Sequence, residues 1–249
     1  MLLQHCTWQE VESRLERSTG IILPIGSTEQ HGPNGLIGTD ALCAEVIARE
    51  AGEAADALVA PTIAVGMAQH HMDFAGSMTL RPTTLIAVLR DTVMSLARHG
   101  FTRFYFINGH GGNVATVNAA FSEIYAESSL DPEQGNRPVP RCKLRNWYDA
   151  TAVRRLSKEM FGASEGSHAT PSEVSVTQYA FPEAIKQAEM SPRIAPYGPI
   201  LDARDYRRRF PDGRIGSDPS LANPEAGGKL VEASARELAD DYRSFLTEA

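Results

Sequence analysis

Three short polar segments of the chain carry side chains that can bind a metal ion or move a proton. They contribute a set of carboxylates and imidazoles: Glu29, His31, Asp40, His110, His168 and Glu173. Together these groups offer mixed oxygen and nitrogen ligands to a divalent cation. They are also the usual general acids and bases of enzymes. The sequence therefore points to metal-assisted or acid–base chemistry.

The first segment is the loop of residues 26–39, rich in Gly, Pro and polar residues, with Asp40 directly after it. Glu29 and His31 are two residues apart, so both side chains project to the same side of an extended backbone. Asp40 stands at the start of a predicted helix and supplies a second carboxylate. The three residues could ligate a cation, or Asp40 could be only a helix N-cap beside two solvated loop residues. The local pattern leaves both interpretations open.

The second and third segments also allow two interpretations each. His110 lies between glycines, which let the backbone pass close to a ligand, but such turns also occur for structural reasons. Thr170, Pro171 and Glu173 form the pattern of a capping box with proline at the first helical position, so Glu173 could be only a capping partner. His168 precedes that helix and could be an acid–base group or a surface residue.

A further pair of histidines, His70 and His71, follows Gln69. Adjacent side chains in an extended segment face opposite ways. We therefore expect at most one of the two histidines to point into a given site.

The predicted elements around these segments alternate between strands and helices. Apolar runs predict strands at residues 21–25, 58–65, 101–107 and 142–147, and periodicity with capping signals predicts helices at residues 8–17, 41–48, 82–99, 114–125 and 224–245. This alternation is typical of an α/β fold with a mainly parallel sheet covered on both faces. In such sheets, functional groups gather beyond the carboxyl ends of the strands.

The length of 249 residues fits one large α/β domain, and we predict a single domain over residues 1–249. Residues 191–223 are rich in Pro, Gly and Arg and resist assignment. We interpret them as an excursion from the domain that could lie at a subunit interface. The arginines at residues 204–209 are flanked by aspartates, which favours a solvated loop or a subunit contact.

Composition and charge exclude several classes of protein. The net charge of −7 argues against a nucleic-acid partner. The N-terminus lacks a secretion signal, and no apolar stretch approaches the ~20 residues that span a membrane. The three cysteines are widely spaced and form neither a disulfide framework nor a zinc ribbon. We therefore expect a cytoplasmic protein.

In their order and spacing, these segments resemble the creatininase family of creatinine amidohydrolases. The similarity covers most of the chain and rests on several matching phrases in order rather than on one motif. The phrases are residues 23–32, Thr39 with Asp40, His71 with Phe74 and Gly76, residues 108–113, residues 168–175 and residues 216–219.

The resemblance implies a three-layer α/β/α fold with a two-metal site, often assembled as a hexamer. Four residues match metal ligands of the family: Glu29, His31, Asp40 in the bridging position, and His110. Glu173 matches the family's later glutamate and is the candidate for the remaining ligand and for a catalytic role. The expected cofactors are divalent ions, about two per chain, because carboxylate and imidazole ligands suit Zn²⁺, Mn²⁺ or Fe²⁺.

The resemblance also implies roles outside the ligand set. His168 is the candidate for passing a proton to the departing nitrogen or for contacting substrate. His71 matches a family phrase without a determined role. Trp147 lies where family members place aromatics near substrate, although burial in the core explains it equally well.

Two departures from the family pattern argue against creatinine as the substrate. Creatininase proper has a glutamate ligand where this chain has Gly112, and the common Gly-Glu pair after His-Ala is Thr170-Pro171 here. Other members of the family act on ring-opened formamides, on a peptide, or on a cyclic inositol-derived ketone.

The sequence therefore predicts a metal-dependent hydrolase of the C–N bond of a small amide, working as a homo-oligomer. One alternative is a metal enzyme that hydrolyses or isomerises a cyclic ketone or sugar-like substrate. Another is a non-catalytic binding protein on the same fold. The second is disfavoured because a binding protein has no need of the full ligand set.

Overall fold

Four parallel strands form the sheet of this protein in the computed structural model, which describes residues 1–130 and 138–248. The strands are β1 (Gly20–Ile25), β2 (Leu58–Val59), β3 (Arg103–Asn108) and β4 (Arg141–Asn146), in the order β2-β1-β3-β4. Strand β3 pairs along its whole length with both β1 and β4. The predicted α/β class with a parallel sheet is confirmed.

The helices of the described ranges are α1 (Trp8–Leu15), α2 (Thr39–Ala54), α3 (Pro82–Arg98), α4 (Val114–Leu130), α5 (Thr151–Phe161), α6 (Pro171–Ala180), α7 (Ala203–Arg209) and α8 (Pro224–Thr247). Capping boxes begin α1 at Thr7 and α6 at Thr170, as their sequence patterns predict. Within residues 1–130 and 138–248, no helix has the length and apolar character needed to cross a bilayer.

Alternate residues of the two central strands point into two separate apolar cores. Ile22 and Tyr105 face the core formed with helices α2, α5, α6 and α8. Leu23 and Phe106 face the opposite core, formed with α3 and α4. A strand buried on both faces needs apolar residues at every position, which explains the continuous apolar runs of β1 and β3. The result is the three-layer α/β/α arrangement.

Three elements differ from the sequence prediction. The strand predicted at residues 58–65 ends at Val59, and only Ile63 adds a single bridge beyond it. Pro61 interrupts the run because it has no N–H to donate to the sheet. Helix α5 has no counterpart in the prediction, and α7 lies inside the stretch that resisted assignment.

The carboxyl end of the sheet brings the polar segments together. Helix α2 begins at Thr39 with Gly38 as its N-cap, so Asp40 lies in the first turn and is not the capping residue. The turn after β3 packs directly on this first turn. A Cβ atom added at Gly109 would lie 2.1 Å from the carbonyl oxygen of Asp40. Glycine is therefore required for this close approach of two backbones.

We expect Gly109→Ala to destabilise the fold by about 1–3 kcal/mol, because the added methyl group meets backbone that cannot turn away. Gly38→Ala is the matched control, since its Cβ would only contact Leu42 at 3.6 Å. We expect that control to change the free energy of unfolding by less than about 1 kcal/mol. Urea unfolding of the three proteins measures both values, and equal stability of the two variants would contradict the prediction.

Candidate metal centre

Three carboxylates lie side by side in the interior at the carboxyl end of the sheet. Glu29 comes from the loop after β1, Asp40 from the first turn of α2, and Glu173 from the first turn of α6. Glu29 and Asp40 are 0% and 3% exposed. The Glu173 side chain is 14% exposed. Buried carboxylates need positive partners, because the charged form is costly away from water.

Two histidines supply these partners, and both are oriented by backbone carbonyls. His31 Nδ1 lies 3.0 Å from the carbonyl oxygen of Glu29, and His110 Nε2 lies 2.8 Å from that of Met67. A carbonyl only accepts, so each of these nitrogens carries a proton. The remaining nitrogens face the carboxylates. His31 Nε2 is 3.0 Å from Asp40 Oδ1, and His110 Nδ1 is 2.9 Å from Asp40 Oδ2.

These side chains form two potential ligand groups that share Asp40. One group is Glu29, Asp40 and His110, and the other is His31, Asp40 and Glu173. Within each group the donor atoms lie within 4.8 Å of one another. Asp40 offers Oδ2 to the first group and Oδ1 to the second. This is the geometry of a carboxylate that can bridge two cations.

The oxygen atoms of Glu29 and Asp40 fit this chemistry. Ser27 Oγ donates to Glu29 Oε2 at 2.7 Å and leaves Oε1 to face the histidines. Glu29 Oε1 and Asp40 Oδ2 are buried, and each has an imidazole nitrogen within 3.0 Å. Neither oxygen accepts a hydrogen bond of good geometry from the residues that the structure describes. Buried oxygens are rarely left in this state. Both atoms belong to the first ligand group, where a cation would satisfy them.

The electrostatics of the centre follow from this burial. Burial opposes the charged form of His31, but the neighbouring carboxylates, Asp40 first, raise its pKa to about 10. Glu29 and Asp40 likewise outweigh burial and raise the pKa of His110 to about 9. The same imidazoles hold the pKa of the Asp40 carboxyl well below its usual range despite burial. Burial raises the pKa of Glu29 above its usual range and that of Glu173 to about 7.

Glu173 is the capping partner that its sequence pattern predicts, and it also lies beside His31. Its Oε1 accepts from the Thr170 backbone N–H at 2.6 Å, as the partner in the capping box. The same oxygen lies 3.8 Å from His31 Nε2. The capping bond therefore holds the carboxylate beside His31. This is the position that a metal ligand would need.

His168 lies at the edge of the same cluster. Its Nε2 is 2.8 Å from the carbonyl oxygen of Gln30 and 2.9 Å from the Gln30 side-chain nitrogen. That nitrogen already has acceptors for both its protons in His71 Nδ1 and the Gly213 carbonyl, so the carbonyl of Gln30 assigns a proton to His168 Nε2. Its Nδ1 is left as an acceptor 4.0 Å from Glu29 Oε1. Burial lowers the pKa of His168 well below its usual value, and neighbouring imidazoles add to this. His168 also forms a potential ligand group with Glu29 and His31.

His71, and not His70, contacts the carboxylates. His71 Nε2 lies 3.0 Å from Glu29 Oε1. Its Nδ1 accepts from the Gln30 side-chain amide at 3.0 Å, so the proton on Nε2 faces Glu29. Burial lowers the pKa of His71 to about 2, which keeps the ring neutral. The two histidines lie in a short 3₁₀ turn and not in an extended segment, and the His70 ring packs beside His71 with centroids 4.3 Å apart.

Gln30 is a residue whose role the sequence patterns did not reveal. Its side-chain nitrogen donates to His71 Nδ1 and to the carbonyl oxygen of Gly213 at 3.0 Å, and its Oε1 accepts from the Gly32 N–H. Tyr206 Oη lies 3.2 Å from the same nitrogen. Tyr206 belongs to α7, whose Asp202 cap and apolar Tyr206 and Phe210 at helical spacing were the available signals.

Two of the four arginines at residues 204–209 are paired within α7, and a third contacts an aromatic ring outside it. Asp205 accepts from Arg208 and Arg209, and the Arg207 guanidinium lies 4.5 Å from the centroid of the Phe74 ring. The surface interpretation of this cluster agrees with these local contacts.

A cavity of about 850 Å³ opens onto the cluster. Asp40, His110, His168 and Glu173 lie along it, as does Trp147. Trp147 is 1% exposed and belongs to the core, while a position near substrate stays a prediction. The size falls in the range of small-molecule sites.

The turn after β3 has no room for a side chain at Gly112. A Cβ atom there would lie 2.4 Å from His110 Nε2 and 2.7 Å from the carbonyl oxygen of Met67. A side chain at this position would disturb the bond that orients His110. The carboxylate beside His31 comes instead from Glu173.

Comparison with known proteins places the chain in one family. The sequence profile of the creatininase family, described as creatinine amidohydrolase, matches residues 4–241. The creatinine amidohydrolase of Pseudomonas putida is 26% identical over 254 aligned residues, covering 95% of this chain and 94% of the relative. The 3-dehydro-scyllo-inosose hydrolase of Thermotoga maritima is 28% identical over 258, covering 98% of this chain and 79% of the relative.

The fold is also shared with solved structures. One described as "Creatininase Mn" superposes with a TM-score of 0.85 at 22% identity and covers 99% of both chains. The three-layer α/β/α arrangement predicted from the resemblance is therefore confirmed.

We expect divalent cations to bind this centre more tightly as the pH rises. At pH 7 the pKa values of about 10 and 9 keep His31 and His110 protonated, and Glu173, with a pKa of about 7, is half protonated. A cation must displace these protons, so the dissociation constant for Mn²⁺ should fall about tenfold or more per pH unit between pH 6 and 8. Calorimetry in buffers of different ionisation enthalpy measures both the constant and the protons released. A dissociation constant independent of pH would contradict this.

His71→Gln should weaken the binding of Mn²⁺ by about 10- to 100-fold, because Glu29 loses the imidazole that faces its Oε1. His70→Gln is the matched control: the same change at the neighbouring residue, which contacts the ring of His71 but is not within ion-pair distance of Glu29. We expect the control to bind Mn²⁺ within about threefold of the unaltered chain. Titration with Mn²⁺ followed by electron paramagnetic resonance gives both constants, and equal effects of the two substitutions would count against a positioning role for His71.

Proposed function

The chain belongs to the creatininase family, and from this premise we propose that it is a metal-dependent amidohydrolase that cleaves the C–N bond of a small amide. The observation that carries the proposal is the pair of buried ligand groups sharing Asp40 beside a cavity of about 850 Å³. A relative named creatinine amidohydrolase aligns over almost the whole chain.

We assign one cation to Glu29, Asp40 and His110, and a second to His31, Asp40 and Glu173. Oxygen and imidazole nitrogen donors suit Zn²⁺, Mn²⁺ or Fe²⁺, and one related structure is named a manganese creatininase. Bound cations of this kind lower the pKa of a water molecule and polarise a carbonyl group.

The residues of the chain then orient the substrate and move protons. His168 Nδ1 is the free acceptor at the edge of the centre, because the Gln30 carbonyl holds the proton on Nε2. We assign to this nitrogen the proton that passes from the attacking water to the departing amine. Glu173, which also lines the cavity, has its carboxylate fixed by the Thr170 N–H and would hold the second cation with His31 and Asp40.

The substrate is a small amide other than creatinine. Gly112 lacks the carboxylate that creatininase proper carries there, and Pro171 stands where the family commonly has glutamate, so this chain has fewer acidic groups in these two segments. We include linear formamides, lactams and short peptides in the proposed class.

A second candidate is the hydrolysis or isomerisation of a cyclic ketone. The observation that favours it is the 28% identity to the 3-dehydro-scyllo-inosose hydrolase of Thermotoga maritima over 98% of this chain. The same cations would polarise a ketone as well as an amide carbonyl. Parallel assays with an inosose and with N-formyl amino acids separate the two reactions.

We further propose that the chain forms one domain, assembles as a homo-oligomer, with a hexamer as the specific hypothesis, and works in the cytoplasm. Exposed apolar side chains such as Trp8 and Leu201, 67% and 79% exposed, offer surfaces for subunit contacts. Light scattering coupled to size-exclusion chromatography measures the assembly directly.

We expect Asp40→Asn to remove both cations, because its two oxygens serve both ligand groups. After incubation with Mn²⁺ and gel filtration, elemental analysis should find about two ions in the unaltered chain and almost none in the variant. Asp91→Asn, at an aspartate on α3 that is 73% exposed, is the matched control and should keep both. Absence of metal in the unaltered chain would overturn the proposed function.

We expect His168→Gln to retain its metal and to lose turnover of N-formyl amino acids by about 10²–10⁴-fold, since a general acid–base group contributes that much. Metal content and kcat are measured on the same sample. Near-normal kcat with bound metal would exclude the proton-transfer role, and loss of metal would assign His168 to the ligands instead.

A further inference from the structure

Positively charged side chains line the same cavity as the carboxylates of the metal centre. Arg154, Arg155 and Lys158 of helix α5 line the cavity, and all three are exposed. With ~100° between successive helical residues, these positions fall on one stripe about 100° wide. The stripe lines the cavity that Asp40 and Glu173 also line.

Two of these cations have no acidic partner. Arg155 lies 3.9 Å from Glu159, its neighbour on the same helix. Arg154 and Lys158 have no side-chain hydrogen bond or ion pair with the residues in the described ranges. Most of the other basic side chains that we describe on α8 and around β4 are paired with carboxylates. Both side chains are therefore free to bind an anion that enters the cavity.

The carboxylates of this cavity do not neutralise them. Asp40 and Glu173 are engaged with the histidines of the centre. Glu165 accepts a hydrogen bond from Ser172, and burial raises the pKa of its carboxyl above the usual range. The cavity thus combines carboxylates suited to cations with the positively charged side chains of α5. We call Arg154, Arg155 and Lys158 the rim.

A buried donor also lines the cavity. Trp147 is 1% exposed, and its indole N–H has no acceptor among the residues that the structure describes. Buried N–H groups are normally satisfied, so Trp147 is a residue of the cavity lining whose donor is left to pair.

We propose that Arg154 and Lys158 bind an anionic group of the substrate, a carboxylate or a phosphate, while its amide lies over the metal centre. This inference rests on the proposed function and narrows it to amides that carry an acidic group. Arg and Lys are the side chains best suited to bind such oxygens, and a positive rim also steers an anion into a cleft. The remaining negative charge of the chain would repel the same molecule from other surfaces.

The test is a selectivity ratio. Mn²⁺-loaded enzyme is assayed with N-formylglycine, N-formyl-β-alanine and N-formyl-γ-aminobutyrate, with their neutral carboxamides, and with the corresponding N-formyl aminoalkylphosphonates. For each chain length, kcat/KM for the anion is divided by kcat/KM for the neutral amide. The spacer that gives the largest ratio measures the reach from the metal centre to the rim, and the better anion identifies the group.

In Arg154→Gln/Lys158→Gln the largest ratio should fall at least about tenfold, which corresponds to ~1.4 kcal/mol. The matched control is Lys229→Gln/Arg236→Gln, which removes the same charge from exposed residues of α8, where each cation is paired with a glutamate. We expect the control to keep the ratio. Added salt should lower the ratio of the unaltered chain more than that of the α5 variant.

An unchanged ratio in the α5 variant, or an equal fall in the α8 control, overturns the proposal. If no amide is hydrolysed, the proposed function fails. Calorimetry with the same acids then still tests whether Arg154 and Lys158 bind an anion. Weaker binding of the acids only in the α5 variant supports the anion site, and equal binding by all three proteins excludes it. Circular dichroism melting of each variant separates these outcomes from misfolding.

Discussion

Three carboxylates buried side by side impose the main constraint on this structure. Glu29, Asp40 and Glu173 would repel one another and resist burial unless positive charge lay between them. In the chain by itself that charge is the protons on His31 and His110, whose pKa values are raised to about 10 and 9. Cations can replace those protons without moving the side chains, because the imidazoles are already held by backbone carbonyls. The centre is therefore built for positive charge before any ligand arrives.

The geometry of the sheet brings these carboxylates together. Strands β1 and β3 end at the same level, and the first turn of α2 is pressed against the turn after β3 at Gly109. Asp40 therefore reaches the midpoint of the cluster with both oxygens available. Parallel sheets regularly collect functional groups at this edge. Here the contact between the backbones of Gly109 and Asp40 fixes how far the Asp40 side chain reaches into the cluster.

The roles of the surrounding residues follow from what each donor atom already bonds. His31, His110 and His168 each give one nitrogen to a backbone carbonyl and turn the other toward the carboxylates. His71 differs because the Gln30 amide donates to it, so its proton faces Glu29. Similar residues thus have separate functions in the proposal: ligands, a proton carrier and a positioning group. The positive rim of α5 adds selectivity to a centre whose own chemistry is common to many amides.

The sequence by itself determined the features that depend on neighbouring residues. The apolar runs of β1 and β3, the capping box of Thr170 and Glu173, and the α/β class all follow from local patterns. The polar segments that meet at the centre were also recognisable, because each follows a strand or opens a helix. Whether each of those residues binds a cation stays a prediction.

Only the tertiary structure decided which of these groups meet, and on which atoms. Gln30 selects His71 over His70 while bonding to Gly213, 183 residues away, and no local pattern encodes such a contact. The structure likewise turned one oxygen of Asp40 to each ligand group, combined capping and cluster contacts in Glu173, and directed the basic stripe of α5 into the cavity. The physical reason is that the orientation of a buried polar group is set by all its hydrogen-bond partners at once, and most of these lie far away in the chain.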